Sequence, residues 1–444
     1  MAAPLLESAV QAIELEAFAK KIPDLVQHNT TLYGKFKKDA VTIPISNVTA
    51  AGGVQRPSLR IPMRMQAGGA IIQGTGNADS LYRGTGSQWA GFAVSPVVIY
   101  APCEISWLAR QATEGQKRGL FNVQAQELKN TFDQATQGLE ALFQGDGSGT
   151  LDTIPTTATI NNGTGGAGPS FSSIVGLNNA FQFTDQQTVQ VWNQLSGTNR
   201  GTFTISFVDA VSQTIYSQQA LPAGTATGDL LIVQGAPGTA GGSILGLRAW
   251  QVNSNTGVIG GLNRATYPGR LTTPIINLNN APISTSTPWR AQVLLGRALG
   301  PDNASIKKVM WYCGPDQAFQ IGNLYLQVLT SRMDSMGKSA ANAPDMTPAG
   351  FPTEFGGYPL TVGYNALPGR LDLFTMSTWY LGEMVPLELY DFGGGITIAP
   401  VPDLGTAGGS YLSSTMFVYV TACNLINSNV RAGVIVSGAT QPTI

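Results

Sequence analysis

Between residues 112 and 143 the chain has no proline and no cluster of turn-forming residues, and Leu120, Val123, Leu128, Phe132, Ala135, Leu139 and Leu142 recur at helical spacing. This predicts one amphipathic helix over 112–143, about 45 Å long, with a single apolar stripe. A helix of that length is longer than a small domain is wide, so the rest of the chain has to be arranged along it. The segment Gln144-Gly-Asp-Gly-Ser-Gly-Thr150 follows at once. Gly145 is expected to stop the helix by accepting a positive φ.

Upstream of the helix, Leu59, Ile61, Met63 and Met65 alternate with Arg60, Pro62, Arg64 and Gln66, the period of a half-buried strand over 58–66. A return strand over 89–100 alternates at Phe92, Val94, Val98 and Tyr100, and the glycine-rich stretch 67–87 joins the two. A long hairpin of this kind is marginal by itself, so a neighbouring subunit is expected to cover it. Arg56, Arg60, Arg64 and Arg83 against Asp79 make it basic. Its expected partners are acids on a neighbour's helix, Glu127, Asp133 or Glu140. Exposed pairs of that kind contribute only about 0.2 to 1 kcal/mol each, enough to guide register more than to hold subunits together. Further upstream, Pro4 precedes Leu6, Val10, Ile13 and Ala17 at helical spacing and Pro23 ends the run. That segment reads as a short amphipathic arm, packed either on its own domain or on a neighbour.

Downstream, a Gly/Ser/Thr-rich connection over 150–173 leads to short strands punctuated by glycine from about 185 to 250. They suggest a small β-barrel or sandwich inserted into a larger α+β body. The remainder alternates helix and strand. Helices are expected over 287–299 and from Pro315, the latter with Ala318, Ile321, Leu324 and Val328 on one face. Strands are expected over 306–313, 358–362, 371–374, 385–392 and 411–421. At 444 residues the chain is too long for a single core, and no fixed-period repeat points to a solenoid.

The side-chain inventory argues against enzyme chemistry. His28 is the only histidine, which removes histidine metal clusters and leaves any catalytic triad resting on one residue without a nucleophile elbow. Cys103, Cys313 and Cys423 are far apart and lack C-x-x-C spacing, so they are expected as reduced, buried hydrophobes. Asp146, Ser148, Thr150 and Asp152 imitate a calcium loop, but Leu151 stands where the loop needs glycine and Thr157 where it needs the bidentate glutamate. No phosphate-binding glycine motif is present, so neither a metal nor a cofactor is expected. Only 11% of residues are charged, against about a quarter in a typical soluble domain, which suggests that much of the surface meets other protein. A net charge of −1 supplies no field for specific nucleic-acid binding. The acids Glu7, Glu14 and Glu16 are wrong for a secretion signal, and no apolar run is long enough to span a membrane.

In order along the chain, the arm, the basic hairpin, the long helix ending in Leu-Phe-Gln-Gly-Asp-Gly-Ser-Gly-Thr150 and the later α+β body resemble the major capsid proteins of tailed bacteriophages with the Hong Kong 97-type fold. Gly260-Gly-Leu-Asn-Arg-Ala-Thr-Tyr-Pro268, Val309-Met-Trp-Tyr-Cys-Gly-Pro-Asp-Gln317, Phe355-Gly-Gly-Tyr-Pro-Leu360 and Ala366-Leu-Pro-Gly-Arg-Leu-Asp372 add to the likeness. The resemblance implies a virion shell subunit, assembled in the bacterial cytoplasm. Such subunits form pentamers and hexamers that tile an icosahedral head around double-stranded DNA, with a portal and decoration proteins as further partners. It divides the chain into an N-terminal arm (1–57), an extended loop (58–100), a peripheral domain with the spine helix (101–184), the β-insert (185–250) and an axial domain with returning peripheral strands (251–444). No lysine lies between Lys38 and Lys117, so the isopeptide crosslink of some relatives is not expected here. With the hairpin reached within about sixty residues, a separate scaffold protein is expected as well. The other readings are an encapsulin-like nanocompartment shell and, from another class, a secreted β-rich hydrolase or adhesin.

Overall fold

The computed structural model describes residues 31–44, 48–51, 54–68, 86–106, 123–163, 171–236, 242–299, 308–336, 351–402 and 411–440. The expected arm helix, His28, the hairpin tip with Arg83, and residues 112–122 of the expected long helix lie outside them.

Within the described residues the long helix runs Val123–Gln144, about 33 Å at 1.5 Å per residue. Its apolar stripe lies against a five-stranded sheet. There Tyr411–Asn427 is flanked on one side by Val97–Ser106 and on the other by Trp379–Leu389 and Ala399–Pro402, while Val41–Pro44 adds a parallel edge to Trp379–Leu389. The expected return strand of the hairpin is in fact two strands, Gln88–Val94 and Val97–Ser106. The chain changes sheets at Ser95 and Pro96, where proline removes a ladder donor and Asn424 Nδ2 donates to the Ser95 carbonyl at 2.8 Å.

A second, six-stranded sheet has the order Ile275–Ala281, Gly433–Ala439, Leu371–Thr375, Val309–Cys313, Tyr358–Val362, Glu354–Phe355. Both central strands are buried, Leu371–Thr375 throughout and Val309–Cys313 nearly so; the latter is a continuous apolar run, as expected of a strand covered on both faces, while the former buries Asp372 paired with Arg370. The helices Ser286–Leu299 and Pro315–Met336 contribute Ala291, Leu295, Ala318 and Ile321 to its core.

A third unit is made of two four-stranded sheets. Thr198–Thr204, Thr188–Asn193, Leu230–Val233 and Thr150–Thr153 form one, and Phe207–Asp209, Thr214–Ser217, Ser172–Val175 and Thr159–Asn161 form the other. They share a core that includes Ile154, Ile174, Val189, Val191, Phe203, Ile215 and Leu231. The unit therefore begins at Thr150, directly after the glycine turn, and closes at Val233. The sequence pattern suggests instead a connection over 150–173 and a β unit only from about 185. The difference arises because Thr150–Thr153 finds its partner eighty residues downstream in Leu230–Val233, a pairing that no local pattern encodes.

The short helix Thr31–Asp39, which the sequence did not suggest, packs against the end of the long helix. Leu32 and Phe36 are fully buried, and the Phe36 ring lies 5.9 Å from Phe143, 6.2 Å from Phe374 and 5.2 Å from Trp379. These aromatics join the two helices to the strands behind them.

Candidate assembly surfaces

The hairpin stem pairs Leu59–Gln66 with Gln88–Val94, and its two faces differ sharply. Leu59, Met65, Phe92 and Val94 are buried in the main core, with Ile61, Met63 and Ala90 packed beside them. The Phe92 ring meets Trp250 edge-on at 4.8 Å, and the Ala93 amide donates to the Gly260 carbonyl at 2.9 Å. Gly260 has φ +53°, and a Cβ there would lie 2.8 Å from the Phe92 ring, so glycine alone lets the two segments approach. The apolar face of the stem is thus covered by its own chain, contrary to the expectation that a neighbour covers it. The opposite face carries Arg60, Pro62, Arg64, Gly91 and Trp89, the last 65% exposed and paired in register with Arg64. Arg60 and Arg64 are exposed as expected. Arg56 lies on the strand Val54–Pro57, in register with Thr49.

The three expected acidic partners are not equivalent. At 3.6 residues per turn, Asp133 and Glu140 are rotated about 120° and 140° around the helix from Glu127. Glu127 is half-buried, and burial pushes its carboxyl above the ordinary range. Asp133 is half-buried near Tyr419, whose phenol it pushes up after the larger effect of burial. Glu140 is 0% exposed, and its carboxylate is occupied inside the chain by the start of the short helix, with Oε1 2.8 Å from the Leu32 amide. It does not face a neighbour. The sequence carried a signal of this, since Glu140 stands between Leu139 and Ala141-Leu-Phe143, in a turn that is apolar on every side.

Gly145 ends the long helix, but not by a positive φ. Its amide donates to the Leu142 carbonyl at 2.9 Å, and the left-handed residues are Gly147 and Gly149, at φ +88° and +81°. The helix stops where it does because residues 246–249 close over its carbonyl end. Arg248 Nε donates to the Gln144 carbonyl at 3.1 Å, and the Ala249 amide to Gly145 O at 3.3 Å. A cation at this end also complements the helix dipole. A cavity of about 560 Å³ opens beside the turn, lined by Asp146, Ser148, Asp152, Asn178, Gln194 and Arg248 among others. Its acids are already engaged: Asp146 Oδ1 accepts from the Ser148 amide at 2.9 Å, and Asp152 accepts from the Thr153 and Asn178 amides at 2.8 and 2.9 Å. Among the described residues no group of three or more His, Cys, Asp or Glu side chains could hold a metal.

The cysteines are unpaired, Cys313 and Cys423 buried and Cys103 half-buried. Burial pushes the Cys423 thiol up to about 12 and raises the other two. None is poised as a thiolate nucleophile.

No protein-family model matches the chain, and no curated protein matches it. Among solved structures, the cyanophage A-1(L) capsid asymmetric unit aligns with a TM-score of 0.54 at 10% identity, covering 95% of this chain and 96% of that one. The chain has the mixed α+β fold of a phage capsid protein. The capsid of an empty GTA particle aligns at a TM-score of 0.47 with 9% identity, over 95% of this chain and 94% of that one. The capsid of Myoviridae phage XM1 aligns at 0.43 with 9% identity, over 99% and 100%.

Proposed function

We propose that this chain is a major capsid protein, a non-catalytic subunit that assembles with copies of itself into the icosahedral head of a tailed phage. The observation that carries the reading is the near end-to-end correspondence with a cyanophage capsid subunit, 95% of one chain against 96% of the other, with no large domain left over on either side. The low charge and the unreactive thiols agree with it.

In this reading the architecture is of the Hong Kong 97 type. The helix Val123–Gln144 is the spine, and with the five-stranded sheet it forms the peripheral domain. The six-stranded sheet and its two helices form the axial domain around the centres of hexamers and pentamers. The two four-stranded sheets are the β-insert, and the hairpin from Leu59 to Val94 is the extended loop. The hairpin's solvent face, with Arg60 and Arg64 and with Arg56 and Arg83 nearby in sequence, pairs with Asp133 and Glu127 of an adjacent subunit. Glu140 takes no part. A separate scaffold, a portal and decoration proteins are the expected partners, and the shell encloses double-stranded DNA without reading its sequence.

Sedimentation velocity of the expressed chain, alone and with a co-expressed scaffold, tests the reading. Closed particles or discrete capsomers are expected. A monomer at every concentration and in both preparations would count against it.

A further inference from the structure

The chain has only ten lysines, yet three of them, Lys35, Lys37 and Lys38, fall in the nine-residue helix Thr31–Asp39. A fourth, Lys308, just ahead of the strand Val309–Cys313, reaches the end of the same helix, with Nζ 3.1 Å from Asp39 Oδ1. The helix has two distinct sides. Leu32 and Phe36 are buried one turn apart, and at about 100° per residue Lys37, Gly34, Lys38 and Lys35 follow one another around the opposite side over about 160°. Lys37 and Lys38 are exposed and Lys35 is half-buried. Acids that could neutralise them are few. Asp39 is taken by Lys308, and Glu383, half-buried in register with Pro44, is close enough to Tyr33 and Cys423 to act on both. Among the described residues no acid forms an ion pair with Lys35, Lys37 or Lys38.

What this face lacks decides what it fits. A protein partner is gripped chiefly by aromatic and apolar anchors, and lysine is depleted from such interfaces. Between these lysines stands only Gly34, and Tyr33 is half-buried with Lys37 over its ring, 5.9 Å from the centroid. The hairpin's basic face is of the other kind, because Trp89 stands exposed there in register with Arg64. Flexible ammonium groups without an anchor suit a polyanion held by charge alone, a regular row of phosphates.

We propose that the lysine face of the helix Thr31–Asp39 binds the phosphate backbone of double-stranded DNA without reading its sequence. The inference rests on the capsid reading, in which duplex DNA is what the shell encloses, and it turns this helix toward the interior. The net charge of −1 supplies no long-range attraction, so the contact is local and salt-sensitive.

Fluorescence anisotropy of a labelled random-sequence duplex with the full-length, unassembled chain, at salt from about 50 to about 200 mM, tests this. Three phosphate contacts predict a slope of about −2.7 in log affinity against log salt, an about fortyfold loss over that range. Lys35→Gln with Lys37→Gln and Lys38→Gln should weaken binding about tenfold or more at the lower salt and flatten the slope. Lys35→Arg with Lys37→Arg and Lys38→Arg should keep both, and Arg60→Gln with Arg64→Gln should leave binding unchanged. A wild-type chain that does not bind, a glutamine variant that binds like the wild type, or an equal loss in the Arg60/Arg64 variant overturns the proposal. If the glutamine variant fails to fold, acetylation of the wild type decides: protection of Lys35, Lys37 and Lys38 by the duplex supports the contact, and equal labelling with and without DNA overturns it. Sedimentation of the same preparations separates this outcome from the capsid reading. Particles formed by a chain without DNA affinity overturn the lysine face alone. Loss of particles in the glutamine variant with DNA affinity intact assigns these lysines to a neighbouring subunit and likewise overturns it.

Discussion

Gly246 stands directly on the carbonyl end of the long helix: a Cβ at this position would lie 2.5 Å from the Phe143 carbonyl oxygen and 2.6 Å from those of Leu142 and Gly145. All three obstacles are backbone atoms, so no side chain can swing aside. Gly246→Ala is expected to destabilise the subunit by about 1 to 3 kcal/mol through overpacking, measured by denaturant unfolding of the unassembled chain. A change below half a kcal/mol would mean that this approach is looser than described.

Phe36 anchors the short helix among Phe143, Phe374 and Trp379 with no exposed surface. Truncation to alanine leaves a cavity where three rings met, with an expected cost of about 3 to 5 kcal/mol. Thermal unfolding of Phe36→Ala should show a large drop in Tm. An unchanged Tm would separate the short helix from the main core.

Arg264 acts as a buried bracket. Its Nη1 donates to the Leu271 carbonyl at 2.7 Å and its Nη2 to the Ala249 carbonyl at 2.8 Å, joining the irregular segment at Leu271 to the short helix Leu247–Trp250. Lysine keeps the charge but not the planar fork, leaving a carbonyl without its donor. Arg264→Lys is expected to lose about 1 to 3 kcal/mol in urea unfolding, and full retention of stability would show that the charge alone suffices.

Arg60 and Arg64 lie on the hairpin's solvent face, so reversing them should leave the fold within about half a kcal/mol of the wild type. Assembly should respond differently. Arg60→Glu with Arg64→Glu is expected to shift particles toward free subunits in sedimentation, most strongly at low salt, and Asp133→Lys on the same chain should restore part of the yield. Normal particle yield from the double reversal would remove this face from the interface.

Where local pattern and burial coincide, the chain is legible. The strand Tyr358–Val362 has its expected limits, and the helix Ser286–Leu299 begins one residue before expectation. Strand Trp379–Leu389 begins six residues before its expected start, because Trp379 and Leu381 are anchored by contacts distant in sequence. Helix Thr31–Asp39 was not legible: it offers Leu32 and Phe36 among lysines, and its Leu32 and Tyr33 amides are capped by a glutamate of another helix. Neither charge nor direction separates Glu140 from Asp133, which lie only about 20° apart around the long helix; what separates them is the helix Thr31–Asp39, which packs on the end of the long helix and covers Glu140. The hairpin's alternation did reveal two faces, but not that the apolar one packs on its own chain through Trp250 and Gly260.

A cryo-electron microscopy map of particles formed by the full-length chain tests the central claim most directly. The account predicts closed icosahedral shells of hexamers and pentamers, with the six-stranded sheets gathered around the capsomer centres and the Arg60/Arg64 face of each hairpin against a neighbour's long helix. A chain that forms no closed shell, alone or with its scaffold, would contradict it.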